Sequence, residues 1–406
     1  MKNFFKNSKH FKFKSKEKFI NDLFFYSDGN NYYYGIYNSN FKIYFRATEP
    51  IKNAPYKYCF LIKNNKFNYQ SLFKINQNCD NESIEINFDN INDVLEIKTN
   101  IGKAIIPFEN TDDMDFIKNT NNSELSQSII VNKDKFIQNF KNSFNFLENN
   151  NIRQILNYVI LQKANNKHFL YSTTGRILYR QEYNADIIYN KEVYAYDAIL
   201  LHNEFLKQLE FNLSKIKKGP DTLGILQTKR KITTDFLDYE TKDVLFIEYN
   251  DECSFKIPDL ERVIPNEKLG IFKYSFSKNV IKTIKEKLKP FKMLNSDNKA
   301  ILFEFKDNKI IFSNLELDME LKTDAYNNNT KFKFEVEGVQ KIKWSDTEDN
   351  RIALNYKAFL DALDIMLLSE EEDAYIDIIK HDAPCIISNS ISTILIMPQK
   401  FYNIKE

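Results

Sequence analysis

An α+β fold made of three repeats, each with two helices among antiparallel strands, is what the 406-residue sequence predicts. Three observations carry that prediction. A helix-opening pattern recurs, as Ser15-Lys16-Glu17-Lys18-Phe19-Ile20, as Asn132-Lys133-Asp134-Lys135-Phe136-Ile137, and as the shorter Ser277-Lys278-Asn279-Val280-Ile281. A second helix opens later in each third, at Asn68-Tyr69-Gln70-Ser71-Leu72-Phe73, at His202-Asn203-Glu204-Phe205-Leu206 and at Asn355-Tyr356-Lys357-Ala358-Phe359-Leu360. Between the helices lie short runs of alternating apolar and polar residues. Self-similarity at a long period marks a repeated architecture.

Each element has a local reason. The first helices open on Ser or Asn, whose side chains can accept a hydrogen bond from a free amide of the first turn. Charge follows, and then an apolar pair. In the middle third Phe136, Phe140, Phe144 and Leu147 fall on one helical face; in the last third Val280, Ile281, Ile284 and Leu288 do so. The runs SIEINF, DVLEIKT, KAILFEF, NKIIFSN, KFKFEVEG and AYIDIIK have the period of two expected of strands. Coincidence among Lys-, Asn- and Phe-rich helices is the competing explanation. Two helix starts in the same order in all three thirds argue against it.

The totals bound the rest. A chain of this length exceeds one hydrophobic core and suggests several domains. Hydrophobic residues at 43% supply ample material to bury, so the chain is globular. Lys+Arg 57 nearly cancels Asp+Glu 56, so no global field draws in nucleic acid or membrane, and any DNA contact must come from local placement of charge. The basic start, MKNFFKNSKHFKFKSKEKF, lacks the apolar block of a signal peptide. It is expected either to add a contact or to stay disordered. No run has membrane-spanning length; the apolar part of SISTILIMP is strand-sized. A soluble cytoplasmic protein with no membrane partner is expected. Cys59, Cys79, Cys253 and Cys385 form no CxxC and lack nearby His partners, so they read as buried free thiols rather than a metal site.

Catalytic patterns are missing. There is no GxxxxGK[ST] loop, and His10, His168, His202 and His381 stand apart from any Cys or Ser at catalytic spacing. Asp112-Asp113-Asp115 and Glu370-Glu371-Glu372-Asp373 could suggest a metal-dependent nuclease, but acidic runs of this kind read better as solvated loops. No reaction and no cofactor are expected.

One stretch stands out for its stiffness. FKIPDLERVIPNE places Pro258 and Pro265, two of nine prolines, on either side of Arg262-Val263. Each proline removes a backbone donor and biases its predecessor toward extended geometry. The stretch is expected to run extended, as a connector or a pocket wall.

With these residues in place the sequence resembles the bacterial sliding clamp family, the beta subunit of DNA polymerase III. Pro258-Asp259, Arg262-Val263 and Pro265 match its PDxxRVxP linker; Arg153 and Leu156-Asn157 match R-x-x-L-N. Thr173 and Gly175 fall where the family writes T-D-G-H-R-L. Leu354-Asn355 begins the last helix, and Ile396-Met397-Pro398 ends the closing strand. The match extends from about residue 105 to 401; earlier, Lys12-Phe13 and Thr48-Glu49 fit only loosely, and about eleven residues precede the usual start. The sequence departs from the family at Thr174, Arg176-Ile177, Ala358 and Gln399, and residues Tyr402 to Glu406 run past the usual end.

The resemblance implies three clamp domains, 1–122, 123–255 and 256–406, which form half of a ring closed by a second copy. It implies a DNA polymerase processivity factor, a homodimer that encircles duplex DNA without reading sequence. Its partners would be the DNA polymerase III alpha subunit, the clamp loader and repair proteins, held through short linear motifs. The alternative is a clamp-like paralogue or mobile-element clamp, a scaffold with other partners. Carried over by position, the peptide pocket is Leu156, Thr173, Gly175, Leu178, Pro258, Arg262, Val263, Asn355, Met397 and Pro398. The dimer interface is Ile106 and Phe108 facing Met293 and Leu294. For DNA, Lys278, Lys282, Lys285 and Lys289 recur at helical spacing away from the apolar face. Lys133, Lys141, Lys16 and Lys18 are further candidates, as is Arg153 by its match. Asp361 and Asp364 on the last helix oppose a uniformly basic lining.

Overall fold

The computed structural model describes residues 3–11, 22–50, 54–63, 85–89, 91–99, 102–111, 126–148, 152–189, 198–228, 230–251, 257–265, 272–289, 300–306, 308–314, 333–343, 351–369, 373–379 and 382–399. The chain divides into two compact units. One comprises Met1–Phe140 and Ala185–Phe255, the other Lys141–Asn184 and Lys256–Glu406.

In the first unit a ten-stranded sheet runs in the order Asp186–Ile188, Gln127–Asn132, Thr222–Gln227, Lys231–Leu237, Val244–Asn250, Phe41–Ala47, Tyr32–Tyr37, Asp22–Ser27, Tyr58–Ile62, Glu109–Asn110. Val244–Asn250 pairs antiparallel with Phe41–Ala47, so one sheet continues from the first third of the sequence into the second. A cross-strand row of Phe25, Tyr34, Phe45 and Leu245 fills one face, and all four are buried. Phe24, Tyr26, Tyr44, Cys59 and Leu61 form a second buried cluster on the other face. Burial on both sides explains why DLFFYS and YCFLI read as continuous apolar runs and not as alternating ones. Glu85–Asp89, Val94–Lys98 and Lys103–Pro107 form a separate three-stranded sheet.

Residues 3–11 of the N-terminal stretch are folded against the sheet. Helix α1 (Phe4–Asn7) and a 3-10 turn (Ser8–His10) sit on the first face of the sheet. The Phe4 ring packs 5.2 Å from Phe25 and 5.3 Å from Tyr34. Asn7, fully buried, donates to the Tyr34 hydroxyl (2.7 Å) and to the Asp243 carboxylate (2.9 Å), and Tyr34 donates to that same carboxylate (2.9 Å). The His10 ring lies edge-on to Phe45, and burial pushes its pKa down to about 3, so it is neutral. The expectation of disorder fails for these residues because the sequence alternates lysine with residues that need covering.

Four of the six expected helices lie in the described residues. α2 (Lys133–Phe144) opens on Asn132, whose side chain accepts from the Lys135 amide at 3.1 Å. Phe136 and Phe140 are buried with rings 4.0 Å apart. α3 (Asn203–Leu213) is capped by His202, whose Nδ1 accepts from the Glu204 amide at 3.2 Å. Burial lowers the His202 pKa to about 4, which keeps that nitrogen an acceptor. The helices expected at Ser15 and Asn68 lie outside the described residues.

In the second unit a sheet runs Tyr158–Ala164, Lys167–Thr173, Ile177–Glu182, Ser392–Ile396, Cys385–Ser388, Asp373–Ile378, Phe272–Ser277, Gln340–Lys343. Here the middle third joins the last, through Ile177–Glu182 against Ser392–Ile396. A four-stranded sheet of Lys333–Glu337, Lys309–Asn314, Ala300–Lys306 and Arg351–Asn355 accompanies it. α4 (Lys278–Leu288) is capped by Ser277 and buries Ile281, Ile284 and Leu288. α5 (Tyr356–Leu368) is capped by Asn355, which accepts from the Ala358 amide at 3.0 Å. The Tyr356 hydroxyl donates to the Leu288 carbonyl at 3.1 Å and ties the end of α4 to the start of α5. Every strand pair described is antiparallel, and the fold is α+β, as the alternation predicts.

Candidate peptide pocket and nucleic-acid interface

All ten pocket residues fall in the second unit. Thr173 and Leu178 face each other across the turn between strands Lys167–Thr173 and Ile177–Glu182, and Leu178 pairs on its other side with Leu395. Gly175 holds that turn at φ +81, a backbone region that side chains with a Cβ rarely adopt. Thr173 Oγ1 accepts from the Gly175 amide (2.9 Å) and donates to the Ile177 carbonyl (2.7 Å), which fixes the loop. A Cβ at residue 175 would lie 3.8 Å from Leu156, so Leu156 adjoins the turn. The Met397 amide donates to the Arg176 carbonyl (2.9 Å), and the Gln399 amide to the Ala353 carbonyl (2.8 Å). These bonds bring the closing strand to the turn and to the strand that leads into Asn355 and α5.

The linker differs from expectation at its centre. Asp259 and Ile264 are extended, Ile264 as the following Pro265 favours, but Leu260–Val263 coil into one 3-10 turn. Four residues between the two extended ends are enough for a single such turn, and it buries Leu260. Val263 stays 54% exposed and Met397 44%, so both offer apolar surface. Arg262 pairs with Asp259 at 3.0 Å, its side chain 86% exposed. Pro258 is exposed and Pro398 half-buried.

Sequence reasoning missed Glu261. Its carboxylate accepts from Arg180 Nε (2.9 Å) and Nη2 (3.3 Å) and from the Tyr171 hydroxyl. The Arg180 guanidinium lies 3.7 Å above the Phe169 ring. Burial and the neighbouring carboxylate push the Tyr171 pKa up, so the phenol keeps the proton it donates. The residues stand 81 to 90 positions apart, and no local pattern announces the pairing.

The basic candidates separate into distinct groups. On α4, Lys282 and Lys289 are exposed and Lys278 is half-buried, while Lys285 is ion-paired with Asp364 of α5. Asp361 lies one turn before Asp364, and burial together with that like charge pushes its pKa up to about 6. Exposed Lys357 precedes it on the same face and was not singled out from the sequence; its i, i+4 spacing to Asp361 was the available signal. On α2, Lys141 is exposed, but Lys133 is only 14% exposed, with its ammonium 5.6 Å from the Phe236 ring centroid. Arg153 is exposed at the start of the Gln154–Asn157 turn. Lys16 and Lys18 lie outside the described residues.

Of the interface candidates, Ile106 and Phe108 point into the first unit. Ile106 is fully buried opposite Leu95, and the Phe108 ring packs 4.3 Å from Phe60. The exposed apolar residue of that edge strand is Ile105, at 58%. Met293 and Leu294 lie outside the described residues, as do Asp112, Asp113, Asp115 and Glu370 to Glu372. Cys59 and Cys385 are buried free thiols, while Cys79 and Cys253 are not among the described residues. No described helix is long and apolar enough to cross a membrane.

No protein-family model matches the sequence, and no curated protein matches it. Solved structures do match the fold. A putative DNA polymerase III beta subunit from Eubacterium rectale ATCC 33656 aligns over 98% of this chain and 97% of its own, at 13% identity and a TM-score of 0.72. The DNA polymerase III beta subunit from Thermotoga maritima aligns over 99% and 97%, at 18% identity and a TM-score of 0.69. A sliding clamp from Pseudomonas aeruginosa bound to griselimycin aligns over 98% and 97%, at 13% identity and a TM-score of 0.70. At such identities the likeness is one of fold, and along essentially its whole length this chain has the fold of the DNA polymerase III beta subunit, the sliding clamp.

Proposed function

We propose that the chain is a divergent sliding clamp, a non-catalytic processivity factor. Two copies, each of three domains (1–122, 123–255 and 256–406), close a ring around duplex DNA. The observation that carries this reading is the fold match over 98% of the chain to a putative DNA polymerase III beta subunit. The sheets also run across the proposed domain borders, at residues 244–250 against 41–47 and at 177–182 against 392–396.

Encirclement lets affinity stay low and blind to sequence. Exposed Lys141, Lys282 and Lys289, with half-buried Lys278 and with Arg153, would meet phosphates only. Ring closure would use the edge strand Lys103–Pro107, whose outer side has no partner among the described strands, against the segment holding Met293 and Leu294. The pocket would take a short peptide from the polymerase, the clamp loader or repair proteins, typically a Gln followed by Leu and Phe anchors. Two buried anchors at about 1.5–3 kcal/mol each, less the ordering of the peptide, give roughly micromolar affinity, which suits partners that must exchange. A protein that works on bacterial DNA would act in the cytoplasm.

The altered turn at Thr174, Arg176 and Ile177, and the inward-facing Ile106 and Phe108, favour the second reading, a clamp-like scaffold that does not close. Solution mass and retention on circular but not linear DNA separate the two. A dimer retained only on circles supports the clamp, and a monomer that never loads supports the scaffold. Met293→Lys with Leu294→Lys should yield monomers, and an unchanged dimer mass refutes that interface.

A further inference from the structure

We propose that Glu261, held by Arg180 and Tyr171, is the residue that positions the linker wall of the peptide pocket. The inference rests on the peptide-pocket reading above. Its basis is register. Tyr171 and Arg180 are directly opposed across strands 167–173 and 177–182, and the next same-face pair along those strands is Thr173 and Leu178, the pocket floor. Same-face pairs along a strand stand about 7 Å apart. The latch and the floor are therefore neighbouring rungs of one ladder. Leu395 and Thr393 continue the two rungs onto the closing strand, Ser392–Ile396, which leads into Met397.

The linker otherwise has few ways to hold its place. Proline at 258 and 265 supplies no amide donor, and Arg262 turns to Asp259 within the linker itself. Ile257 and Leu260 are buried, which fixes the linker's depth. Apolar contact is non-directional and leaves sliding along the strands unopposed. The bidentate Arg180–Glu261 pair, with Arg180 stacked on Phe169, supplies direction. Val263, two residues past Glu261, is thereby held as a wall before any peptide arrives. A wall set in advance spares the complex the ordering of that segment.

The test uses the full chain and a fluorescent peptide carrying Gln followed by Leu and Phe anchors. Glu261→Gln keeps the size and removes the charge; it should weaken peptide binding on the order of tenfold and speed amide exchange at residues 257–264. The thermal unfolding midpoint should stay close to wild type. Arg180→Glu alone should weaken binding similarly, and Arg180→Glu with Glu261→Arg should recover most of it, which a merely structural lesion would not do. Binding by Glu261→Gln within twofold of wild type, with unchanged exchange at 257–264, overturns the latch and leaves the pocket standing. A wild-type chain that binds no such peptide overturns the pocket reading and the latch with it.

Discussion

Residues 3–11 and helix α4 are both lysine-rich, both begin from unremarkable polar sequence, and end in opposite places. In the first, Phe4, Asn7, His10 and Phe11 are buried, while Lys6 and Lys9 face outward, Lys6 beside Glu240 at 3.5 Å. In the second, Ile281, Ile284 and Leu288 are buried under a stripe of lysines. The difference lies in what accompanies the lysines. α4 buries only aliphatic side chains, which ask for cover and nothing more. The N-terminal segment buries an amide and an imidazole as well, and these require matched partners. Asn7 finds them in Tyr34 and Asp243, so the segment is specified as part of the core. Lysine content alone does not distinguish a buried anchor from a helix with an exposed basic face.

The comparison can be broken at its strongest point first. Phe4→Ala removes a fully buried ring and should cost about 3–5 kcal/mol in denaturant unfolding. A loss under about 1 kcal/mol would show that the segment merely rests on the sheet. Asn7→Ala should cost about 1–3 kcal/mol, because it leaves the buried Asp243 carboxylate and the Tyr34 hydroxyl short of a donor. On the other side, Lys282→Glu with Lys289→Glu should leave stability within about 0.5 kcal/mol. It should reduce the slope of log affinity for duplex DNA against log salt by about 2. An unchanged slope would assign α4 to the same structural role as residues 3–11.

The smallest effect concerns α5. Asp361 has its pKa raised above the ordinary carboxylate value, to about 6, so it loses its proton reluctantly in the folded chain. Ionisation of this carboxylate therefore disfavours the fold, fully so above about 6; the penalty fades as pH falls and is gone below the unfolded-state value near 3.8. Asp361→Asn should stabilise the protein slightly at pH 7.5 and not at pH 3.5, read by unfolding midpoints. Acidification from pH 7.5 to 5.5 should also strengthen DNA retention in the wild type more than in Asp361→Asn, since it removes one negative charge from the helix beside α4. Identical pH profiles would place Asp361 away from the DNA path.

Much of the local structure around the candidate pocket residues was legible because its parts are local motifs. A Thr and a Gly two residues apart make a turn, Asn355 before an apolar run makes a cap, and two prolines fix the ends of a linker. The coil at Leu260–Val263 was not legible, since proline constrains only itself and its predecessor. Neither was Glu261, whose partners lie on strands more than eighty residues earlier. The outward lysines of α4 follow from helical period, but the loss of Lys285 to Asp364 depends on α4 and α5 packing together. For the edge strand, the alternation in KAIIPFE places Ile105 and Ile106 on opposite faces, but only packing against Leu95, Phe60 and Phe88 decides which face is inside.

By itself the sequence determined the α+β class, the four predicted helices that fall in the described residues and the Ser and Asn caps that start three of them, because these depend on neighbours within a few positions along the chain. Tertiary structure alone decided which charges are spent on partners, which side of an edge strand is buried, and that residues 3–11 belong to the core. Those outcomes depend on which groups meet after the sheets have joined distant thirds of the chain, and a charge or an amide has no fixed role until its surroundings have replaced its water.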